Sequence, residues 1–214
     1  MKKLIVIAIA AFAFVHTKAQ SEKFEKAMQE SLAQVPAAFN NAPDLLSLAN
    51  KFERIAMAEK NQWLPYYYAA YCQINYAFVA FDPSKADGIA DKATSLLSKA
   101  DSLQPNNSEI SCIKSMIATA HLIVDPAARY MEYGPQGQAA LEAAMKQDPS
   151  NPRPHLLMGQ DIANTPEQYG GGCSKALPHL EAAKAKFEAF KPASGIAPNW
   201  GAEYNQQLIE RCKK

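Results

Sequence analysis

A repeated spacing of small and large residues most constrains how this sequence can fold. The segment "ADKATSLLSKADSLQPNN" places Ala93, Leu97, Ala100 and Pro105 at intervals of four, three and five residues. The segment "GQAALEAAMKQDPSN" places a glycine, a leucine, an alanine and a proline at the same intervals, from Gly137 to Pro149. In a helix, small residues let a neighbouring helix approach, the leucine fills the space one turn later, and proline ends the helix. The repeat predicts closely packed helices.

The same helical period extends along most of the chain. No run of alternating or β-branched residues indicates a strand, so we expect an all-α fold. A third copy of the repeat contains Ala176, Leu180 and Ala183. The predicted helices are Glu22–Val35, Pro43–Lys60, Leu64–Phe81, Ser84–Gln104, Ser108–Val124, Pro135–Gln147, Arg153–Asn164, Cys173–Phe190 and Gly201–Arg211.

On these repeats, most of the segment from Pro43 to Pro192 resembles the tetratricopeptide repeat (TPR) family. The resemblance implies antiparallel helix pairs stacked as a right-handed superhelix. The amphipathic helix Gly201–Arg211 would then cap the open end of the stack. The combination of the segments "ERIAMAEKNQWLPYYYAAY", "NPRPHLLMGQ", "TPEQYGGG" and "APNWG" also resembles small exported repeat proteins of Bacteroidetes-type bacteria.

The first nineteen residues have the composition of a secretory signal peptide. Lys2 and Lys3 precede the apolar run 4–15, and Thr17 and Ala19 have the small-x-small spacing of a cleavage site. We expect residues 1–19 to be removed and residues 20–214 to form a single TPR-like domain in the periplasm or outside the cell. This mature chain has no predicted transmembrane segment. It carries 19 basic and 21 acidic residues, and a formal charge of −2 does not favour binding to nucleic acid.

The four cysteines lie at positions 72, 112, 173 and 212, with no CxxC pair among them. This spacing argues against a zinc site and against a thioredoxin-like redox pair. Cys72 and Cys112 lie in apolar helical segments and are expected to be core residues. A disulfide between Cys173 and Cys212 is a candidate in an exported protein, and separate thiols remain the alternative.

The glycines at positions 170–172, in "NTPEQYGGGCSKALPHL", raise the question of a phosphate-binding loop. A Walker-type loop has a strand before it and a lysine directly after its last glycine, but here Cys173 and Ser174 follow the glycines. We therefore interpret Thr165–Gly172 as a reversal between two helices.

No residue pattern points to catalysis, a resident cofactor or a metal site. His121 and Asp125 have the spacing that places two residues on one helical face, but two ligands do not complete a metal site. A half-buried histidine with a hydrogen-bond partner is the expected alternative. We identify no catalytic residue, no metal ligand and no cofactor-binding residue, and we expect the protein not to be an enzyme.

The segment "WLPYYYAAYCQINYAFVAF" carries aromatic residues around nearly the whole helix. One interpretation is a helix buried on two faces between its neighbours. The other is a partner-binding groove lined by Tyr68 and Tyr71, with Gln160 and Asn164 from a later helix pair.

Two functional hypotheses follow. The leading one is an exported, non-enzymatic scaffold that binds a protein or peptide through the groove of a helical repeat. The alternative is a carrier or sensor that holds a small ligand in an aromatic-lined groove. The sequence specifies neither the partner nor the oligomeric state.

Overall fold

The computed structural model describes residues 22–214, and the predicted signal peptide lies outside this range. Within the described part the chain is all-α and contains no strand, which confirms the predicted fold class. The helices are α1 (residues 22–32), α2 (Val35–Ala38), α3 (Ala42–Ala58), α4 (Trp63–Ala80), α5 (Pro83–Leu103), α6 (Ser108–Leu122), α7 (Pro126–Gln147), α8 (Arg153–Asn164), α9 (Cys173–Ala189) and α10 (Ala202–Cys212).

The starts of α5 and α6 are fixed by side chains that bond to the free amides of the first turn. Asp82 accepts a hydrogen bond from the amide of Ser84 and begins α5. Asn107 accepts from the amides of Glu109 and Ile110 and begins α6. These residues satisfy donors that lack a partner within the helix.

Helix α7 begins nine residues earlier than the sequence predicted. Pro126 occupies its first turn, and Asp125 caps it by accepting a hydrogen bond from the amide of Ala128. Pro135, which we expected to start the helix, lies inside it. Because proline has no backbone N–H, the carbonyl four residues earlier, that of Met131, has no donor within the helix. Met131 is exposed, so water can donate to this carbonyl instead. The prediction that α7 starts at Pro135 is wrong.

Consecutive helices pack against one another from α2 to α10, while α6 also contacts α8. A larger core joins α1 to α7 with Leu157 and Ile196, and a smaller core joins α8, α9 and α10. The small residues and the leucines of the predicted repeat are all buried: Ala93, Leu97, Ala100, Gly137, Leu141, Ala144, Ala176, Leu180 and Ala183.

The C-terminal helix covers one side of the smaller core. Leu208 and Ile209 of α10 are buried, while Tyr204 is partly exposed. The structure joins Cys212 at the end of α10 to Cys173 at the start of α9 by a disulfide. Among the described residues, no helix combines the length and apolar character needed to cross a membrane.

Candidate functional site

A groove of about 510 Å³ lies between helices α5, α6 and α7. Each helix contributes residues three or four positions apart, which places them on one face. The lining consists of Asp91, Thr94, Leu97, Ser98 and Asp101 from α5, Lys114, Ile117, Ala118 and His121 from α6, and Tyr133, Gln136 and Ala140 from α7. A volume of this size is typical of a site for a small organic ligand.

The groove combines apolar walls with polar groups at its ends. Leu97, Ile117 and Ala140 provide apolar surface. Lys114 forms an ion pair with Asp101, with Nζ and Oδ2 separated by 2.8 Å. Because His121 and Lys114 are seven residues apart on α6, they are separated by about 10 Å along the helix axis.

His121 is held by groups from both neighbouring helices. Its Nδ1 atom lies 2.8 Å from Asp87 Oδ1 of α5, and its ring stacks on Tyr133 of α7 with centroids 4.9 Å apart. Nε2 lies 3.8 Å from Asp91 Oδ1, beyond hydrogen-bond distance. Only 14% of the His121 side chain is exposed, so the ring is fixed in the groove wall.

Asp87 joins this histidine to the start of α7. Arg129 donates hydrogen bonds from Nη1 and Nη2 to the two oxygens of Asp87, at 2.6 and 2.9 Å. Hydrogen bonds from Arg129 and His121 lower the pKa of Asp87 to about 2. The carboxylate is therefore charged and acts only as an acceptor.

Asp125 is not the partner of His121, although the two lie four residues apart in sequence. Asp125 caps α7, and the carboxylate beside His121 comes from α5. His121 is a half-buried histidine with a hydrogen-bond partner, as expected. Among residues 22–214 there is no cluster of three side chains suited to holding a metal ion.

The predicted partner groove around Tyr68 and Tyr71 is not a free surface. Tyr68 and Tyr71 are only 3% and 4% exposed. Tyr68 donates a hydrogen bond to the carbonyl of Ile196 at 3.1 Å, and the ring of Tyr71 packs on Trp200 with centroids 5.0 Å apart. The chain's own segment, residues 196–200, covers this face of α4. The assignment of Tyr68 and Tyr71 to a partner groove is therefore wrong.

A buried ion pair holds this covering segment in place. Arg153, fully buried, donates from Nη1 to Glu109 and from Nη2 to the carbonyl of Pro198, both at 2.8 Å. Its guanidinium also lies over the rings of Phe190 and Trp200. Burial raises the pKa of Glu109, and the adjacent Arg153 opposes that rise. Charged and aromatic groups thus fasten the segment to α6 and α8.

Gln160 and Asn164, the other two residues predicted to line the partner groove, also lie in surroundings different from those predicted. Gln160 is half-buried beside a small cavity of about 10 Å³ that Phe78, Ser115 and Asp161 also line. Asn164 is exposed and accepts a hydrogen bond from Arg211 at 3.1 Å. Neither residue lines the groove of α5, α6 and α7.

The amides of the glycine loop are hydrogen-bonded to backbone carbonyls of the protein. The amides of Gly170, Gly171 and Gly172 donate to the carbonyls of Glu167, Pro166 and Ile162, respectively. Gly170 and Gly172 have φ values of 88° and 97°, which glycine adopts without strain. The loop therefore reverses the chain between α8 and α9. Because its glycine amides are already hydrogen-bonded, they do not form a phosphate-binding site.

The groove between α5, α6 and α7 was not predicted from the sequence. The available signal was a line of polar residues on α5, at positions 91, 94, 98 and 101, on one helical face. Such a line usually marks a face exposed to water, and only the packing of α6 and α7 makes it a groove wall.

Comparison with known proteins identifies the family. The HusA haemophore from Porphyromonas gingivalis matches this chain at 38% sequence identity and a TM-score of 0.80. The match covers 89% of this chain and 92% of HusA. The chain belongs to the family of HusA. No family model matches it, and neither does any curated protein.

Membership of the HusA family agrees with two expectations from the sequence. HusA comes from a Bacteroidetes bacterium, in line with the resemblance to Bacteroidetes-type proteins. The shared fold is helical, in line with the all-α prediction. The regular superhelix of the TPR family stays a prediction.

Proposed function

We propose that this protein is an exported, non-enzymatic carrier that binds haem in the groove between α5, α6 and α7. The observation that carries the proposal is the 38% identity with the HusA haemophore over 89% of this chain. This favours the small-ligand carrier over the protein-binding scaffold. The scaffold hypothesis also loses its physical basis, because residues 196–200 cover Tyr68 and Tyr71.

The walls of the groove suit a largely apolar ligand. Leu97, Ile117, Ala118 and Ala140 offer apolar contact within a volume of about 510 Å³. A bare metal ion needs a cluster of protein ligands, and none is present among residues 22–214. The iron of a porphyrin is already held by the macrocycle, so a ligand of this kind can bind without a cluster of protein ligands.

The ends of the groove suit the polar parts of haem. His121 and Tyr133 lie at one end, and Lys114 lies two helical turns away. Lys114 and Asp101 are 47% and 37% exposed, and an exposed ion pair contributes little to stability. Lys114 can therefore exchange Asp101 for a propionate of the ligand at small cost.

Export is part of the proposal. The basic and apolar start of the chain is typical of a signal peptide, and cleavage after Ala19 would release residues 20–214. A disulfide between Cys173 and Cys212 fits an oxidising compartment. The two features are independent of each other.

An absorbance titration of the mature protein with haem tests this proposal. We expect saturable binding to one site. Ala140→Trp and Ser98→Trp place an indole in the groove from opposite walls, and each is expected to weaken binding at least 10-fold. Ala185→Trp, at an exposed position of α9, is the matched control and should bind as the wild type does. Equal affinities in all four proteins would exclude the groove as the binding site.

A further inference from the structure

A small cavity lies between α4, α6 and α8, and it shares no lining residue with the groove of α5, α6 and α7. Its volume is about 10 Å³, close to the space that one water molecule needs. It is lined by Phe78 from α4, Ser115, Met116 and Thr119 from α6, and Leu157, Gln160 and Asp161 from α8. The cavity therefore suits a single polar group of the size of water.

The carboxylate of Asp161 has no hydrogen-bond or ion-pair partner among residues 22–214. The amide and the hydroxyl of Thr165 donate to the backbone carbonyl of Asp161 and not to its side chain. Burial raises the pKa of Asp161 to about 7, and no basic group counters that rise. A desolvated carboxylate without a partner is costly, so a ligand that supplies a positive charge and hydrogen-bond donors is favoured.

Neighbouring groups on α10 do not neutralise Asp161. Burial and the charge of Asp161 both raise the pKa of Tyr204, so this uncharged phenol lies within electrostatic range of the carboxylate. Arg211 donates a hydrogen bond to Asn164 at 3.1 Å. The negative charge of ionised Asp161 is therefore left without a counter-ion from α10.

The lining matches an ammonium group on an aliphatic stem. An ammonium group has three N–H donors and no acceptor, and it is about as large as a water molecule. The lining residues that offer oxygen acceptors include Asp161, Gln160 and Thr119. Phe78 and Met116 provide an aromatic ring and a thioether, which suit a cation and its methylene groups.

We propose that the cavity between α4, α6 and α8 binds the ammonium group of an alkylamine, with the Asp161 carboxylate as its counter-ion. Gln160 and Thr119 accept hydrogen bonds from the ammonium group, and the apolar side chains contact the stem. The site is separate from the proposed haem groove, so neither proposal depends on the other.

Titration of the mature protein with n-butylammonium chloride at pH 8 tests the proposal. The ¹³C shift of the Asp161 carboxyl reports binding. We expect a saturable change and a lower pKa for this carboxyl, because a bound cation favours its ionised form. At pH 5 Asp161 is protonated, and binding should be at least 10-fold weaker. n-Butanol has the same stem without the charge, and neither it nor potassium chloride at the same concentration should bind.

Asp161→Asn removes the charge and keeps the shape of the side chain. We expect it to bind n-butylammonium at least 10-fold more weakly, measured by the amide shifts of α8. Asp44→Asn, at an exposed position of α3, is the matched control and should bind as the wild type does. Equal affinities of the wild type and Asp161→Asn would overturn the proposal. An equal response to n-butanol or to potassium ion, or no saturable change at pH 8, would also overturn it.

A free amine and a lysine side chain of another protein share this ammonium chemistry. Nα-acetyl-lysine methylamide carries the lysine stem on a peptide backbone and distinguishes the two sources. Tighter binding of this compound than of n-butylammonium supports the proposal with a protein lysine as the source. Equal or weaker binding supports it with a free amine as the source.

Discussion

Trp200 donates a hydrogen bond from Nε1 to the hydroxyl oxygen of Tyr67 at 2.8 Å, across 133 residues of sequence. Tyr67 in turn donates to Glu109 at 3.2 Å, so the bond connects the C-terminal segment to α4 and α6. Burial raises the pKa of Tyr67 well above its ordinary value, and its hydroxyl therefore remains protonated. This connection keeps residues 196–200 over the aromatic face of α4.

Replacing Trp200 with phenylalanine tests the contribution of that bond. Trp200→Phe retains an aromatic ring beside Tyr71 but removes the donor. We expect a loss of about 1 kcal/mol in the free energy of unfolding, the usual net value of one buried hydrogen bond. Urea unfolding monitored by circular dichroism measures it. Trp63→Phe, whose ring contacts that of Tyr67, is the control, and an equal loss in both variants would contradict a specific role for this bond.

The disulfide between Cys173 and Cys212 is expected to form in the mature protein. It closes a segment with a sequence separation of 39 residues, and the chain-entropy relation gives a stabilisation of about 4 kcal/mol for a loop of that size. Intact mass after alkylation of the unfolded, non-reduced protein should show two free thiols, those of Cys72 and Cys112. Four alkylated cysteines would show that the disulfide is absent.

Two glycines are expected to respond oppositely to alanine. A Cβ atom on Gly159 would lie 2.6 Å from a methyl carbon of Leu180, so Gly159→Ala should force α8 and α9 apart and cost about 1–3 kcal/mol. A Cβ atom on Gly88 would have no neighbour within 4 Å, so Gly88→Ala should stabilise α5 by about 0.5–1 kcal/mol. Thermal unfolding of both variants measures the difference. Similar shifts at the two positions would refute the close contact between α8 and α9.

Asp161 makes the stability depend on pH. Burial raises the pKa of its carboxyl to about 7, so the folded protein binds a proton that the unfolded chain has released. Stability should therefore fall as the pH rises from about 4 to about 7, because ionisation is costly in the folded state. Asp161→Asn removes this cost and should gain stability relative to the wild type between pH 5 and pH 8. Melting curves at several pH values measure the gain, with Asp44→Asn at an exposed position as control. Parallel pH profiles for wild type and Asp161→Asn would contradict the prediction.

Structural features that depend on residues close together in sequence could be predicted. The interval shared by Ala93, Leu97 and Ala100 with Ala176, Leu180 and Ala183 identified buried residues, because helical spacing alone determines which side chains share a face. Most helix bounds were also predicted to within two residues, because proline and capping residues mark helix ends locally. Pro135 misled the prediction for α7, since a proline in an exposed part of a helix does not have to end it.

Structural features that depend on contacts between residues far apart in sequence could not be predicted. The face containing Tyr68 and Tyr71 looks like a binding surface until Ile196 and Trp200 cover it, and more than a hundred residues separate these partners. The sequence predicts a hydrogen-bond partner for His121 without identifying it, and the packing of α5 on α6 brings Asp87 to it. Neither contact could be predicted, because a helical pattern shows which residues share a face and does not show what packs on that face.

The most direct test of the central claim is to map the bound porphyrin by NMR. Gallium protoporphyrin IX, a diamagnetic stand-in for haem, is added to the isotope-labelled mature protein, and backbone amide shifts are followed. The account predicts saturable perturbations centred on the groove-lining residues from Asp91 to Asp101 of α5, Lys114 to His121 of α6 and Tyr133 to Ala140 of α7. Perturbations centred on α8 to α10, or no saturable change, would contradict it.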